Sequence, residues 1–186
     1  MKSILLALAL LLISAHCFAD QPWKLIKDKS SITFTATYDG AAFQGIFSDF
    51  SVTLNFDTEN LSNSQVESLV NVTSVNTQSR DRDQALSEPD WFYFKKFPQA
   101  TFTSHSFQQV NEKQYIAVGI LQIRDQKHEV SIPFDWTIIN EQSAQLTSEF
   151  SLDRRTYDVG TGDWKNDKTI GFNVIVNLNL AFELAN

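Results

Sequence analysis

The chain has 186 residues, a single cysteine and a formal net charge of −7 at pH 7. The acidic balance disfavours nucleic acids and anionic membranes as partners, because both repel a negatively charged surface. This length suffices for one domain with a hydrophobic core, and one cysteine excludes a disulfide framework.

The N-terminal segment predicts a secretory signal peptide. Lys2 precedes an apolar run over residues 4–13, and small side chains stand at the positions that favour cleavage before residue 20. The apolar run is too short to span a bilayer. We therefore expect residues 1–19 to be removed and residues 20–186 to form one exported domain. Its lack of cysteine fits the bacterial periplasm, with secretion as the alternative.

Most of the chain alternates apolar and polar residues, which predicts antiparallel strands with one buried and one solvent-facing row. The last run is the strongest, with apolar side chains at every second position from Ile170 to Leu184. Turn signals such as Asp39-Gly40 separate the runs. Eight strands are predicted, at 31–38, 50–56, 65–76, 99–107, 115–123, 129–138, 145–152 and 170–184, with a short extra strand at 23–27.

Eight short-linked antiparallel strands form either a sandwich or a closed barrel. A barrel of eight strands is the smallest that holds one small ligand. The run at 115–123 is apolar on both of its rows, so it is predicted either to be covered on both sides or to form an interface.

Residues 80–97 interrupt the alternation. Four charged residues occupy positions 80–83, and aromatic residues crowd the stretch from Trp91 to Phe97. Ser79 and Ser87 suit the N-caps of short helices, so short helical segments are expected around 79–95. We expect the aromatic residues to cover one end of the strand assembly, with insertion into a membrane as the alternative.

The stretch SVNTQSRDRDQAL at 74–86 carries a specific pattern: Ser, a hydrophobic residue, Thr, then Arg-Asp and Leu. It resembles the corresponding motif of the YceI-like family, exported lipocalin-like barrels that bind polyisoprenoid lipids. DWFYFKKFPQATFTS at 90–104, GILQIRDQKHEV at 119–130 and LDRRTYDVGTGDW at 152–164 are similar to further motifs of that family. The chain departs from the family's frequent residues at Ala85, Asp125 and 157–159.

The resemblance implies an all-β, eight-stranded antiparallel lipocalin-like barrel with an elongated apolar cavity. An isoprenoid tail, or a quinone, would lie inside with its polar head near one mouth, and no cofactor is implied. Arg82, Arg155 and Tyr157 are the candidate head-group residues. The inward-facing aromatic residues predict a cavity wall made of Phe34, Phe50, Phe92, Phe102, Phe134, Trp136, Phe150 and Phe172.

Two other functions stay open. Some relatives are encoded near, or joined to, membrane cytochromes of the b type, so one alternative is a non-catalytic partner of such a cytochrome that binds it through 115–123. A homodimer through a sheet edge or through 115–123 is also open. A lipid or sugar hydrolase is disfavoured, because Asp135 and Glu149 fall on polar rows and no nucleophile motif is present. His105 and His128 lack the spacing of metal ligands, so no metal site is expected.

Overall fold

The alternating runs form eleven β-strands in the computed structural model, which describes residues 23–185. The predicted signal peptide lies outside the described residues. The strands are β1 Trp23–Leu25, β2 Ser31–Tyr38, β3 Ala41–Phe47, β4 Phe50–Asn55, β5 Gln65–Asn71, β6 Val75–Asn76, β7 Gln99–Gln109, β8 Gln114–Ile123, β9 Gln126–Asn140, β10 Ser143–Asp153 and β11 Asn173–Leu184.

The helical segments are short. One α-helix, α1 (Arg80–Leu86), lies between β6 and β7. Within residues 23–185 no helix has the length and hydrophobicity needed to cross a bilayer. Single 3-10 turns occupy Lys27–Lys29, Leu61–Asn63, Val72–Ser74, Arg154–Tyr157 and Gly162–Trp164.

The strands form one closed antiparallel barrel in the order β1-β4-β5-β7-β8-β9-β10-β11. It closes because β1 pairs with both β4 and β11. β2 continues along the edge of β11, β3 pairs with β2, and β6 pairs with β3. β1 and β2 therefore act as one bent strand, and the same holds for β3 with β4 and for β5 with β6. The predicted eight-stranded barrel is confirmed.

The sequence did not reveal β3. Its alternation is weak because its inward position opposite Phe34 is Gly45. A methyl group at Gly45 would lie 2.3 Å from Cζ of the Phe34 ring, so the ring occupies the space that a side chain would need. The β2–β3 turn was foreseen, and Asp39 and Gly40 have φ values of 48° and 78°, as a tight hairpin turn requires.

The burial of β8 accounts only in part for its sequence, which is apolar on both rows. Its inner row, which includes Tyr115 and Ala117, is buried. On the outer row Val118 is half-buried and Ile120 is 39% exposed. Coverage on both sides is thus not seen within residues 23–185, and an interface stays a prediction.

Aromatic residues close one end of the barrel. Trp136, near the C-terminal end of β9, packs against Trp23 and Phe56 with ring centroids 5.1 Å away in each case. Phe56 also lies 5.1 Å from the ring of Tyr115. These four residues, Trp23, Phe56, Tyr115 and Trp136, are called the aromatic plug below.

The segment after β6 covers the opposite end. Arg124, just before β9, donates from Nη1 to the carbonyl oxygen of Trp91 at 2.8 Å, which places Trp91 at the other end of β9 from the plug. Trp91, Tyr157, Val159 and Ile170 form a buried cluster there. We call this cluster the cap cluster.

The Arg-Asp motif fixes α1 at that end. Ser79 caps the helix by accepting a hydrogen bond from the Arg82 amide. Asp83 Oδ1 accepts from the Thr77 amide at 2.9 Å and from the Thr77 hydroxyl at 2.6 Å, and Thr77 is buried. The motif therefore attaches the helix to the end of β6.

We expect Gly119→Ala to destabilise the barrel. The added methyl group would lie 2.3 Å from the carbonyl oxygen of Thr103 and 2.6 Å from Cα of Ser104, so backbone must move. Overpacking of this kind costs about 1–3 kcal/mol. Urea unfolding measures the loss. Gly45→Ala is the control, because there the obstacle is the far end of the Phe34 side chain, which borders the cavity and can move aside by a change of χ1. Equal losses in the two variants would contradict this packing.

We expect Asp83→Ala to lower the free energy of unfolding by about 1–3 kcal/mol, since it leaves the Thr77 amide without its acceptor and removes the shorter hydrogen bond of the Thr77 hydroxyl. Asp81→Ala is the matched control, because Asp81 lies in the same helical turn and is exposed. Thermal unfolding of both variants provides the measurement. An Asp83→Ala protein as stable as the control would show that the motif does not hold the helix.

Candidate functional site

A cavity of about 290 Å³ lies inside the barrel. It is lined from Tyr157 and Ile170 at the cap cluster to Phe134 and Phe182 beside the aromatic plug. Its volume approaches the range of roughly 300–1,000 Å³ that is typical of small-molecule sites. Because nearly all of the wall is aliphatic or aromatic, the cavity suits a hydrocarbon rather than a polar molecule.

Five of the predicted wall residues line this cavity: Phe34, Phe92, Phe102, Phe134 and Phe150. The structure places Phe50, Trp136 and Phe172 elsewhere. Trp136 belongs to the plug, and Phe50 is buried at the start of β4, where the Lys27 ammonium lies 5.6 Å from its ring. Phe172 precedes β11 and stacks under the Arg155 guanidinium at 3.7 Å. Alternation indicates the face of a strand, but it does not indicate depth along the barrel.

The wall also contains residues that the sequence reasoning missed. Ala36, Ala100 and Ala117 line the cavity. They lie on the inner rows of their strands, so the alternation held the signal, but only aromatic positions were selected. Phe107 was missed for another reason: a bulge between Ser104 and Ser106 moves the inner row of β7 from even to odd positions.

Only two charged side chains among residues 23–185 contribute to the wall, and both are arginines. Arg82 donates from Nη2 to the Thr77 carbonyl oxygen at 2.9 Å, and its guanidinium lies 4.7 Å from the Phe43 ring. It therefore lines the cavity while it is anchored to Thr77, the residue that follows β6. The second arginine, Arg154, is 4% exposed.

Arg154 organises the loop between β10 and β11. Burial lowers its pKa, but a guanidinium still keeps its charge at neutral pH. This charge is offset by carbonyl dipoles, because the N–H groups of Arg154 are all occupied. They donate at 2.6–3.1 Å to the carbonyl oxygens of Val159, Gly160, Trp164, Asn166, Ile170 and Gly171.

The other two candidate head-group residues differ in placement. Arg155 does not line the cavity; it is paired with Asp153, and this hydrogen bond holds the pKa of Asp153 below its usual range. Tyr157 does line the cavity and is 2% exposed. Burial raises the pKa of Tyr157, so its hydroxyl is protonated at neutral pH.

The histidines lie apart from each other. His105 pairs with Glu129 at 3.0 Å on the exposed surface. The His128 ring packs edge-on against Tyr157 with centroids 5.3 Å apart. Within the described part of the chain, no three His, Cys, Asp or Glu side chains come together as metal ligands would.

Comparison with known proteins supports the assignment of the fold. The structure superimposes on the crystal structure of BcnA from Burkholderia cenocepacia with a TM-score of 0.82 and 23% identity, over 85% of this chain and 99% of that chain. A polyisoprenoid-binding domain from Saccharophagus degradans, described as implicated in plant cell wall breakdown, gives a TM-score of 0.69 and 12% identity. That match covers 88% of this chain and 98% of the domain.

Sequence relatives agree with the structural ones. Protein YceI of Escherichia coli O157:H7 is 36% identical over 109 residues, which is 56% of this chain and 57% of that protein. The chain thus matches little more than half the length of this relative. The profile of the YceI-like domain matches residues 23–182, nearly all of the described barrel. The chain belongs to the YceI-like family, as the motifs at 74–86 and 90–104 had predicted.

Proposed function

We propose that this chain is a binding protein that holds a polyisoprenoid or similar long-chain amphiphile in the barrel cavity. The observation that carries the proposal is the apolar cavity of about 290 Å³, which extends from the cap cluster to the aromatic plug. Burial of hydrocarbon supplies the affinity, at about 0.8 kcal/mol for each methylene group. The fold shared with a solved polyisoprenoid-binding domain supports the same ligand class.

The arrangement of charge favours binding over catalysis. General acid–base chemistry at neutral pH uses a group whose pKa lies near 7, placed beside the reacting atoms. The charged groups on the wall are instead two arginines bound to backbone carbonyl oxygens. We therefore infer a carrier or store of lipid, not a hydrolase.

We further propose that the protein works after export, in the periplasm, where a water-insoluble lipid needs a carrier between membranes. The proposed ligand class includes quinones, since their prenyl tails are equally insoluble in water and need the same apolar enclosure. Partnership with a membrane b-type cytochrome, or a homodimer, is the alternative, and the outer row of β8 with its exposed Ile120 would provide the contact.

The first test is native mass spectrometry of protein purified without harsh detergent. We expect an adduct with the mass of a prenyl lipid, because a tail enclosed in the barrel escapes slowly into water. Delipidated protein should regain the adduct when a prenyl lipid is added. Protein that is free of lipid and ignores every added prenyl chain would contradict the proposal.

The second test shortens the cavity. Ala117 lies on β8 opposite Phe107 and Ile132, near the plug, so Ala117→Leu places extra side chain in the deep end. Displacing two methylene groups of a tail costs about 1.6 kcal/mol, or roughly tenfold in affinity. We expect this loss for long tails and not for short ones. Val118→Leu, on the outer row of the same strand, is the matched control and should bind all tails normally.

A further inference from the structure

The indole N–H of Trp91 is a buried polar group beside the cavity. Trp91 is 7% exposed and lines the cavity. Its Nε1 is buried and has no hydrogen-bond partner among residues 23–185. More than about 90% of buried polar groups in proteins are paired, so an isolated buried donor needs an explanation.

The contacts of Trp91 fix the direction of this donor. Arg124 holds the Trp91 carbonyl oxygen, and the Trp164 ring packs at a centroid distance of 5.5 Å. A methyl group at Gly160 would lie 3.3 Å from Cζ3 of the indole, so that edge of the ring faces the Gly160 loop. Nε1 is on the opposite edge of the indole, and it therefore points away from the Gly160 loop.

A second uncharged polar group belongs to the same cluster. Tyr157 packs with Trp91 and lines the cavity. Burial alone accounts for the raised pKa of its hydroxyl, with no hydrogen bond contributing, and no partner for Oη is found in residues 23–185. The cap end thus offers one N–H donor and one O–H group, neither of them ionised at neutral pH.

Of the cations in residues 23–185 that line the cavity, none at the cap cluster has a free donor for an anionic ligand. Arg124 Nε is also buried without a partner in this part of the chain, but Arg124 does not line the cavity. The Arg154 guanidinium lies 5.8 Å from the Trp91 ring, but its N–H groups are bound to carbonyl oxygens. Arg155 is paired with Asp153. A phosphate placed here would lose its hydration without gaining charge-assisted hydrogen bonds.

We propose that the cap cluster binds the uncharged, oxygen-bearing head group of the lipid, with Trp91 Nε1 donating a hydrogen bond to its carbonyl or hydroxyl oxygen. The inference rests on the proposed function and narrows it. Prenyl alcohols, prenyl ketones and quinones fit this end of the cavity, and prenyl diphosphates do not. Tyr157 Oη is the second polar contact.

The test compares three lipids with the same twenty-carbon prenyl tail: an alcohol, a diphosphate and a hydrocarbon without oxygen. We expect wild-type protein to bind the alcohol about tenfold more tightly than the hydrocarbon, since the head satisfies a buried donor. The diphosphate should bind no better than the alcohol. Trp91→Phe should lower alcohol affinity to that of the hydrocarbon and leave hydrocarbon affinity unchanged, and Tyr157→Phe should cause a smaller loss of the same kind.

Trp23→Phe is the control, because the Trp23 Nε1 already donates to the Phe56 carbonyl oxygen at 3.0 Å in the plug. It should keep the preference for the alcohol. A second readout uses wild-type protein alone: the indole N–H resonance of Trp91 should shift with the alcohol and much less with the hydrocarbon.

Three results would overturn the inference while leaving the proposed function intact. The first is that the diphosphate binds most tightly of the three lipids. The second is that Trp91→Phe lowers the affinity for all three lipids equally. The third is that the alcohol does not shift the Trp91 indole resonance, which is the result expected if a water molecule accepts the hydrogen bond of Nε1. Wild-type protein that binds none of the three lipids would instead contradict the proposed function, and this inference with it.

Discussion

Pairing of β1 with both β4 and β11 is the constraint on which the rest of the structure depends. Once the sheet is closed, every inward side chain faces a shared interior, and the barrel has no free edge there. The protein fills only part of that interior. Aromatic rings pack on one another at the plug, while alanine, branched aliphatic and further aromatic residues line the cavity.

The two ends of the barrel therefore differ in chemistry. The plug is made of side chains that pack on one another, and its Trp23 donor is satisfied by backbone. The cap cluster combines apolar packing with the buried indole N–H of Trp91, which has no partner in residues 23–185. The Arg154 guanidinium beside it is committed to loop carbonyl oxygens and acts as a structural group. The proposed ligand, with its tail in the barrel and its head at the cap cluster, would fill the apolar space and pair the Trp91 donor.

Periodicity alone predicted the strands well, because a half-buried strand must alternate. It failed at β3, where a cross-strand ring replaces the side chain of Gly45, and after the bulge in β7, where the inner row changes parity. It also gave no depth, so Trp136 and Phe134 looked equivalent although one is in the plug and the other lines the cavity. The role of Arg154 depends on carbonyl oxygens up to seventeen residues away, which no local pattern reveals.

The most direct test of the central claim is a crystal structure of the protein saturated with a twenty-carbon prenyl alcohol. The account predicts continuous density for the tail inside the barrel, passing Phe34 and Phe102 toward Phe134, with the oxygen at the cap cluster. Density for the lipid on the outer surface, or an interior filled by the protein's own side chains, would contradict it.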